Sequence, residues 1–151
     1  MFAAVRVRGG IKMKPQLKKT LEYLCLSTVN QLVLVRQRDL PMLKKAEGFI
    51  TWGDIDDSML EKLLRKRARI SGDKPVTDAF LKEKKLGTWK DFLKEVADGK
   101  IELRKLGIKP VFRLRPPRKG FGRKGIKKPY AIGGALGYRA ADINDLICRM
   151  I

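Results

Sequence analysis

The chain has 151 residues, of which 44% are hydrophobic, and its 35 Lys+Arg against 16 Asp+Glu give a formal net charge of +19. This length and apolar content exclude disorder throughout and predict one domain with an insertion or appendage. Histidine is absent, which removes the usual general base and the commonest transition-metal ligand, and no apolar run approaches the roughly 20 residues of a membrane span. We therefore predict a cytoplasmic protein that is not an enzyme, with no metal site, no membrane span and no small-molecule substrate.

Residues 1–53 have the pattern of a compact unit of alternating strands and helices. Residues 2–8 alternate apolar and basic side chains, as a half-buried strand does. Pro15 suits the first turn of a helix. A second strand is predicted at residues 31–36, followed by a short helix and a third strand at residues 49–52. These elements predict a βαβαβ core and an α+β fold.

Helical patterns dominate residues 54–103, which we interpret as a helical insertion. Asp54, Asp56 and Asp57 precede an apolar helical run. Carboxylates at the start of a helix favour the positive end of its dipole, so we interpret them as helix-start residues rather than as a Mg²⁺ site. Two more short helices are predicted, the second capped by Thr88.

Residues 104–151 are predicted to contain a strand, a basic loop and a C-terminal helix that packs on the core. Residues 111–115 alternate between apolar and basic side chains, and Pro116-Pro117 ends that strand. Residues 118–138 are rich in Gly, Lys and Arg and predict a loop. The last residues have the apolar stripe of a helix.

Positive charge is concentrated in two segments of the chain. No Asp or Glu occurs from Met1 to Leu21 or from Leu103 to Ala141, and these stretches hold 6 and 12 basic residues. The rest of the chain is close to neutral. A surface kept free of acids suits a polyanion, and nucleic acid is the partner that this distribution predicts.

Two strands carry pairs of arginines. Arg6 and Arg8 share one face of the first strand, and Arg113 and Arg115 share one face of the last. With helices on the apolar side of a common sheet, the four guanidiniums are expected to line the open side, where phosphates would neutralise them. The alternative is an ordinary solvated strand face.

The predicted loop combines cations, glycines and aromatic rings. Glycines let the backbone approach a sugar-phosphate chain, cations neutralise it, and rings stack on unpaired bases. The alternative is a mobile, solvated loop. The candidate RNA-binding residues of the chain are Arg6, Arg8, Lys12, Lys14, Arg113, Arg115, Arg118, Lys119, Phe121, Arg123, Lys124, Lys127, Lys128, Tyr130, Tyr138 and Arg139.

The same loop contains a G-x-G-x-x-G pattern at residues 120–125. A dinucleotide site needs a strand leading straight into this turn and a helix leaving it. Pro116-Pro117 separate the strand from the turn, and Gly125 and Pro129 prevent a helix. We therefore predict no nucleotide site here.

Three segments carry a resemblance to a known family: VRVRGG at the start, RLRPPRKGF, and GGALGYR. They resemble the ribosomal large-subunit protein thirty family in its long archaeal form, whose eukaryotic relatives are called large-subunit protein seven. The resemblance covers nearly the whole chain and is weakest across about residues 58–100. One departure is Lys119, where relatives often have a glycine, and it bears on the conformation of the loop at that position.

The resemblance implies a small, mainly antiparallel sheet, ferredoxin-like in part, with helices on one face. It also implies no cofactor and no catalysis. The partners that it implies are large-subunit rRNA of the 23S type, with 5S rRNA as a further candidate nearby, and neighbouring ribosomal proteins.

We prefer the interpretation of a structural protein in the cytoplasmic ribosome. Its basic loop and arginine-bearing strands would clamp rRNA, and its charge-balanced insertion would face outward or toward protein. A free-standing architectural or regulatory nucleic-acid-binding module would use the same surface, and preference for duplex DNA would favour it. An RNA-processing enzyme is the third option, which divalent-dependent RNA cleavage lost on substitution of Asp56 or Asp57 would favour.

Overall fold

The structure is a computed structural model that describes residues 1–84, 86, 88–99 and 101–151. Three residues of the predicted insertion, Lys85, Gly87 and Lys100, lie outside the described residues. The strands are β1 (Phe2–Arg6), β2 (Gln31–Val35), β3 (Ile50–Asp54), β4 (Val111–Arg113) and β5 (Gly137–Tyr138). The α-helices are α1 (Pro15–Tyr23), α2 (Leu40–Lys45), α3 (Asp57–Arg67), α4 (Asp78–Glu83), α5 (Trp89–Ala97) and α6 (Ile143–Met150).

The five strands form one sheet in the order β4-β2-β1-β3-β5. Neighbouring strands are antiparallel except β3 and β5, which run parallel. In the centre of the sheet, Ala4 lies opposite Val33 on one side and Trp52 on the other. The predicted α+β fold with a mainly antiparallel sheet is confirmed.

Helices cover both faces of the sheet rather than one. Ala3 and Val5 pack with α3, α5 and α6, whereas Ala4 points the other way and packs with α1 and α2. The cause is the composition of the central strands. The run Leu32–Val35 is apolar at successive positions, as is the run that begins β1, so each face of the sheet must be removed from water.

Local signals explain where several helices begin. Thr88 caps α5, and its side chain and that of Asp91 form a capping box. Asp56 is the N-cap residue of α3 and Asp57 lies in its first turn, as predicted for these two acids. Asp54 instead ends β3. Among the residues that the structure describes, no group of three or more His, Cys, Asp or Glu is placed to hold a metal ion, and no helix is long and apolar enough to span a bilayer.

Gly53 allows α6 to lie close to the sheet. A Cβ added at Gly53 would overlap the carbonyl oxygen of Ala140 and lie 3.1 Å from Cβ and Cγ2 of Ile143. We expect Gly53→Ala to lower the free energy of unfolding by about 1–3 kcal/mol, because the backbone before α6 must move away from β3. Urea denaturation measures this difference.

Gly48→Ala is the control for that substitution. Gly48 has nothing within 4 Å of an added Cβ and no positive φ, so its replacement is expected to cause no loss of stability. Equal stability of the two variants would show that the close approach at Gly53 does not constrain the fold.

Candidate nucleic-acid interface

The basic loop, residues 118–136, is held in shape by its own backbone. The Gly134 N–H donates to the Pro129 carbonyl at 2.9 Å, and the Tyr130 N–H donates to the Leu136 carbonyl at 2.7 Å. Leu136 is buried and packs against the chain at the end of β1. The loop therefore presents its cations from a folded base.

Arg139 lies beneath the loop and is only 4% exposed. Its Nε donates to Thr51 Oγ1 at 2.8 Å. Its Nη2 donates to the carbonyl oxygens of Phe121 and Ala135, each at 3.1 Å. The guanidinium lies 4.4 Å from the ring centroid of Tyr130.

Burial lowers the pKa of Arg139, although a guanidinium keeps its charge at any physiological pH. Its hydrogen bonds run to protein acceptors in the loop and in β3. The sequence predicts that Arg139 contacts RNA, as it predicts for the cations of the loop. Its burial corrects this expectation, because the side chain joins the loop to the sheet and faces the protein interior.

The tyrosines of the loop region differ in their surroundings. The Tyr130 hydroxyl donates to Asp142, which raises the pKa of Tyr130, and Arg139 covers one face of the Tyr130 ring. Tyr138 is 46% exposed, and its hydroxyl donates to Asp54 at 2.6 Å, which raises its pKa. Trp52 packs against the Tyr138 ring, with 4.6 Å between the ring centroids. Tyr138 is the more exposed of the two tyrosines.

Arg6 is 6% exposed and does not line an open face. Its Nη1 donates to the carbonyl oxygens of Leu26 at 2.7 Å and Ser27 at 2.6 Å, and its Nε donates to that of Arg8 at 3.0 Å. Burial lowers the pKa of Arg6. The prediction that Arg6 lines the open side of the sheet is wrong, because α1 and the turn that follows it cover this face of β1.

The other strand arginines are more accessible. Arg8 is partly exposed, donates to the Gly48 carbonyl at 3.1 Å and lies over the Phe49 ring. The side chain of Arg113 is 78% exposed, with Nη1 3.7 Å from a carboxylate oxygen of Asp73. The further predicted cations that are exposed are Lys12, Lys14, Arg115, Arg118, Lys119, Arg123, Lys124, Lys127 and Lys128.

Two loop residues have backbone roles that explain the sequence pattern. Lys119 has φ +64°, in the left-handed region that favours glycine, at the position where the family pattern often has glycine. A Cβ at Gly122 would lie 2.6 Å from the carbonyl oxygen of Gly134. Gly122 therefore serves close packing within the loop, and no helix follows at residues 123–129, as predicted.

Arg149 in α6 is a positioning residue that the sequence did not reveal. Its Nη1 donates to the carbonyl oxygens of Gly120 at 3.0 Å and Arg118 at 3.3 Å. The Arg118 N–H in turn donates to the Arg149 carbonyl at 3.2 Å. These bonds join the start of the basic loop to the end of α6, a relation that only the folded chain shows.

Comparison with known proteins identifies the family. The family described as Ribosomal protein L30p/L7e matches residues 2–50. The chain is 45% identical to Large ribosomal subunit protein uL30 of Nanoarchaeum equitans (strain Kin4-M), over 100% of this chain and 99% of that protein. The chain belongs to the uL30 family of ribosomal proteins.

Other uL30 proteins align over similar lengths. The protein of Hyperthermus butylicus is 46% identical over 100% of this chain and 90% of its own length. That of Methanococcus vannielii is 42% identical over 99% of each. The family resemblance seen in the loop and strand segments is confirmed.

Proposed function

We propose that this uL30-family protein is a structural constituent of the large ribosomal subunit that binds large-subunit rRNA through its basic surface. The observation that carries the proposal is similarity along the whole chain to proteins named as large ribosomal subunit proteins. The partners under this proposal are rRNA of the 23S type, 5S rRNA nearby and neighbouring ribosomal proteins.

The basic loop supports this function physically. Arg123, Lys124, Lys127 and Lys128 are exposed, and no acid occurs in the sequence between Leu103 and Ala141. Cations on such a surface displace the counterions of phosphates, which is the main source of affinity for nucleic acid. Since Arg139 already fixes the base of the loop, binding costs less ordering entropy than binding by a mobile loop would.

Sedimentation of a cell lysate through a density gradient tests the proposal. We expect the protein to migrate with the large subunit and to remain there after a high-salt wash. Migration at the top of the gradient, or loss at modest salt, would overturn it. A free-standing nucleic-acid-binding module would then be the better description.

The contribution of the basic loop is measurable with purified rRNA. If the surface neutralises about eight phosphates, log affinity should fall with log salt concentration at a slope of about −6 to −7. We expect glutamine at Arg123, Lys124, Lys127 and Lys128 together to reduce the magnitude of this slope by about 3, because four phosphate contacts are lost.

A matched control removes the same charge elsewhere. Glutamine at four exposed lysines of the insertion, Lys62, Lys82, Lys84 and Lys94, is expected to change the slope far less. Equal losses in the two quadruple variants would mean that affinity follows net charge and that the loop has no special part in binding.

A further inference from the structure

A second group of cations lies where the helical insertion meets β4, the edge strand farthest from β5. A cleft of about 150 Å³ opens there, which we call the insertion cleft. Asp73 is the one carboxylate among the described residues that line it. The cations that line it are Arg67, Arg69, Lys109 and Arg113.

The fold brings these cations together from distant parts of the chain. Arg69 follows the end of α3, and Ile70 forms an antiparallel bridge with Ile108. The Lys109 N–H donates to the Arg69 carbonyl at 2.8 Å. Lys109 and Arg113 are four residues apart in the segment that leads into β4, and both line the cleft together with Val111.

The charge in the insertion cleft is not balanced. Asp73 accepts from Lys109 Nζ and lies 3.7 Å from Arg113 Nη1, and the hydrogen bond from Lys109 lowers the pKa of Asp73. Among the described residues that line the cleft, one side-chain carboxylate thus faces four cationic side chains.

Arg67 is the most constrained of these cations. Its Nη2 donates to a main-chain oxygen of Ile151 at 2.6 Å. Burial lowers the pKa of Arg67, and repulsion from Arg115 and Arg69 lowers it further. Cations that repel one another in a fixed cluster are stabilised by a bound anion.

We propose that the insertion cleft binds a phosphate of the RNA backbone, so that the insertion forms part of the RNA-binding surface. This inference rests on the proposed function and deepens it. It replaces the expectation that the insertion faces outward or toward protein. The planar, forked guanidiniums of Arg69 and Arg113 match the geometry of a phosphate.

The position of the cleft implies contacts that are well separated on the RNA. Four strand spacings of about 4.8 Å place β4 roughly 19 Å from β5, which follows the basic loop. Phosphates bound at the insertion cleft and near β5 are therefore not adjacent on one RNA strand. This arrangement would let the protein join separate parts of the folded RNA.

The test uses the full-length protein and protein-free large-subunit rRNA. We expect the double variant Arg69→Gln/Arg113→Gln to bind the rRNA more weakly, by on the order of tenfold or more at 0.1 M salt. The magnitude of the salt slope should also fall by about 1.4–1.8, because two phosphate contacts are lost. The control double variant Lys62→Gln/Lys66→Gln removes the same charge from exposed positions of α3. Equal slopes for the two doubles would overturn the proposal.

The substitution Asp73→Asn is expected to strengthen rRNA binding, whereas the arginine substitutions weaken it. Because it removes the carboxylate that competes with phosphate for Lys109 and Arg113, we expect tighter binding of the rRNA, by about threefold or more, as the release of one further counterion predicts. Unchanged or weaker binding would count against the cleft.

A measurement without RNA separates this inference from the proposed function. Inorganic phosphate can be titrated at low salt while the Nε–Hε NMR signals of arginines are followed. Larger shifts at Arg69 and Arg113 than at Arg65, which pairs with Glu61, would support the cleft, and equal shifts would overturn it. Failure of the proposed function would show differently, as a wild-type protein that neither migrates with the large subunit nor binds its rRNA.

Discussion

Replacing Arg139 with Met is expected to lower the free energy of unfolding by about 3–5 kcal/mol and to loosen the basic loop. Three acceptors lose their donor: Thr51 Oγ1 and the carbonyl oxygens of Phe121 and Ala135. Hydrogen bonds from a charged group contribute about 1.5–3 kcal/mol each, and leaving a buried acceptor unpaired costs about 1–3 kcal/mol. Urea denaturation gives the stability, and limited trypsin digestion at the loop lysines reports its mobility.

Two further variants define the role of Arg139. The substitution Arg139→Lys keeps the charge, but an ammonium group cannot reach all the acceptors that the planar guanidinium contacts. We therefore expect a loss of stability smaller than that of Arg139→Met. Arg123→Met removes an exposed cation of the same loop and should leave stability within about 0.5 kcal/mol of wild type. If Arg139→Met were as stable as Arg123→Met, the buried hydrogen bonds of Arg139 would not contribute to the stability of the fold.

Arg6→Met is expected to lower the free energy of unfolding by about 2–4 kcal/mol. The carbonyl oxygens of Leu26, which is buried, and of Ser27 lose short bonds of 2.7 and 2.6 Å. Arg8→Met is the matched control on the same segment. We expect Arg8→Met to lower the free energy of unfolding by less than about 1 kcal/mol. Arg8 is partly exposed, and the Gly48 carbonyl that it contacts is open to solvent.

The same Arg6 variant separates a positioning role from an RNA contact. With Arg6 facing the protein interior, folded Arg6→Met should keep the wild-type salt slope for rRNA binding. A slope reduced by about 0.9 without loss of stability would contradict the burial of Arg6 and restore it as a phosphate contact.

The sequence predicts most elements because their signals are local. The start of α1 at Pro15 and the capping box of α5 depend on neighbouring residues. Alternation also places Arg6 correctly on the face of β1 opposite Val5. It does not show that α1 and the turn after it cover that face, because this depends on contacts between residues about twenty positions apart.

In the candidate site, too, the sequence does not show which side chains become buried through contacts between distant residues. The cations of the basic loop are exposed, as their density in a glycine-rich segment predicts. No feature of the nearby sequence distinguishes Arg139 from these exposed cations, because one of its acceptors, Thr51, lies 88 residues away in the chain. Arg67 and Arg69 suit the end of α3 on sequence alone, and only the bridge between Ile70 and Ile108 brings them to Lys109.

The parallel pairing of β3 with β5 sets an order of events during synthesis. Thr51 donates to the carbonyl of Gly137 across 86 residues of chain. At roughly 5–20 residues per second, β3 has left the site of synthesis about 4–17 s before its partner strand is made. For that interval β3 is an open edge whose backbone groups can pair with another chain. The β3 edge of the nascent protein is therefore exposed to pairing with other chains until β5 is made and covers it.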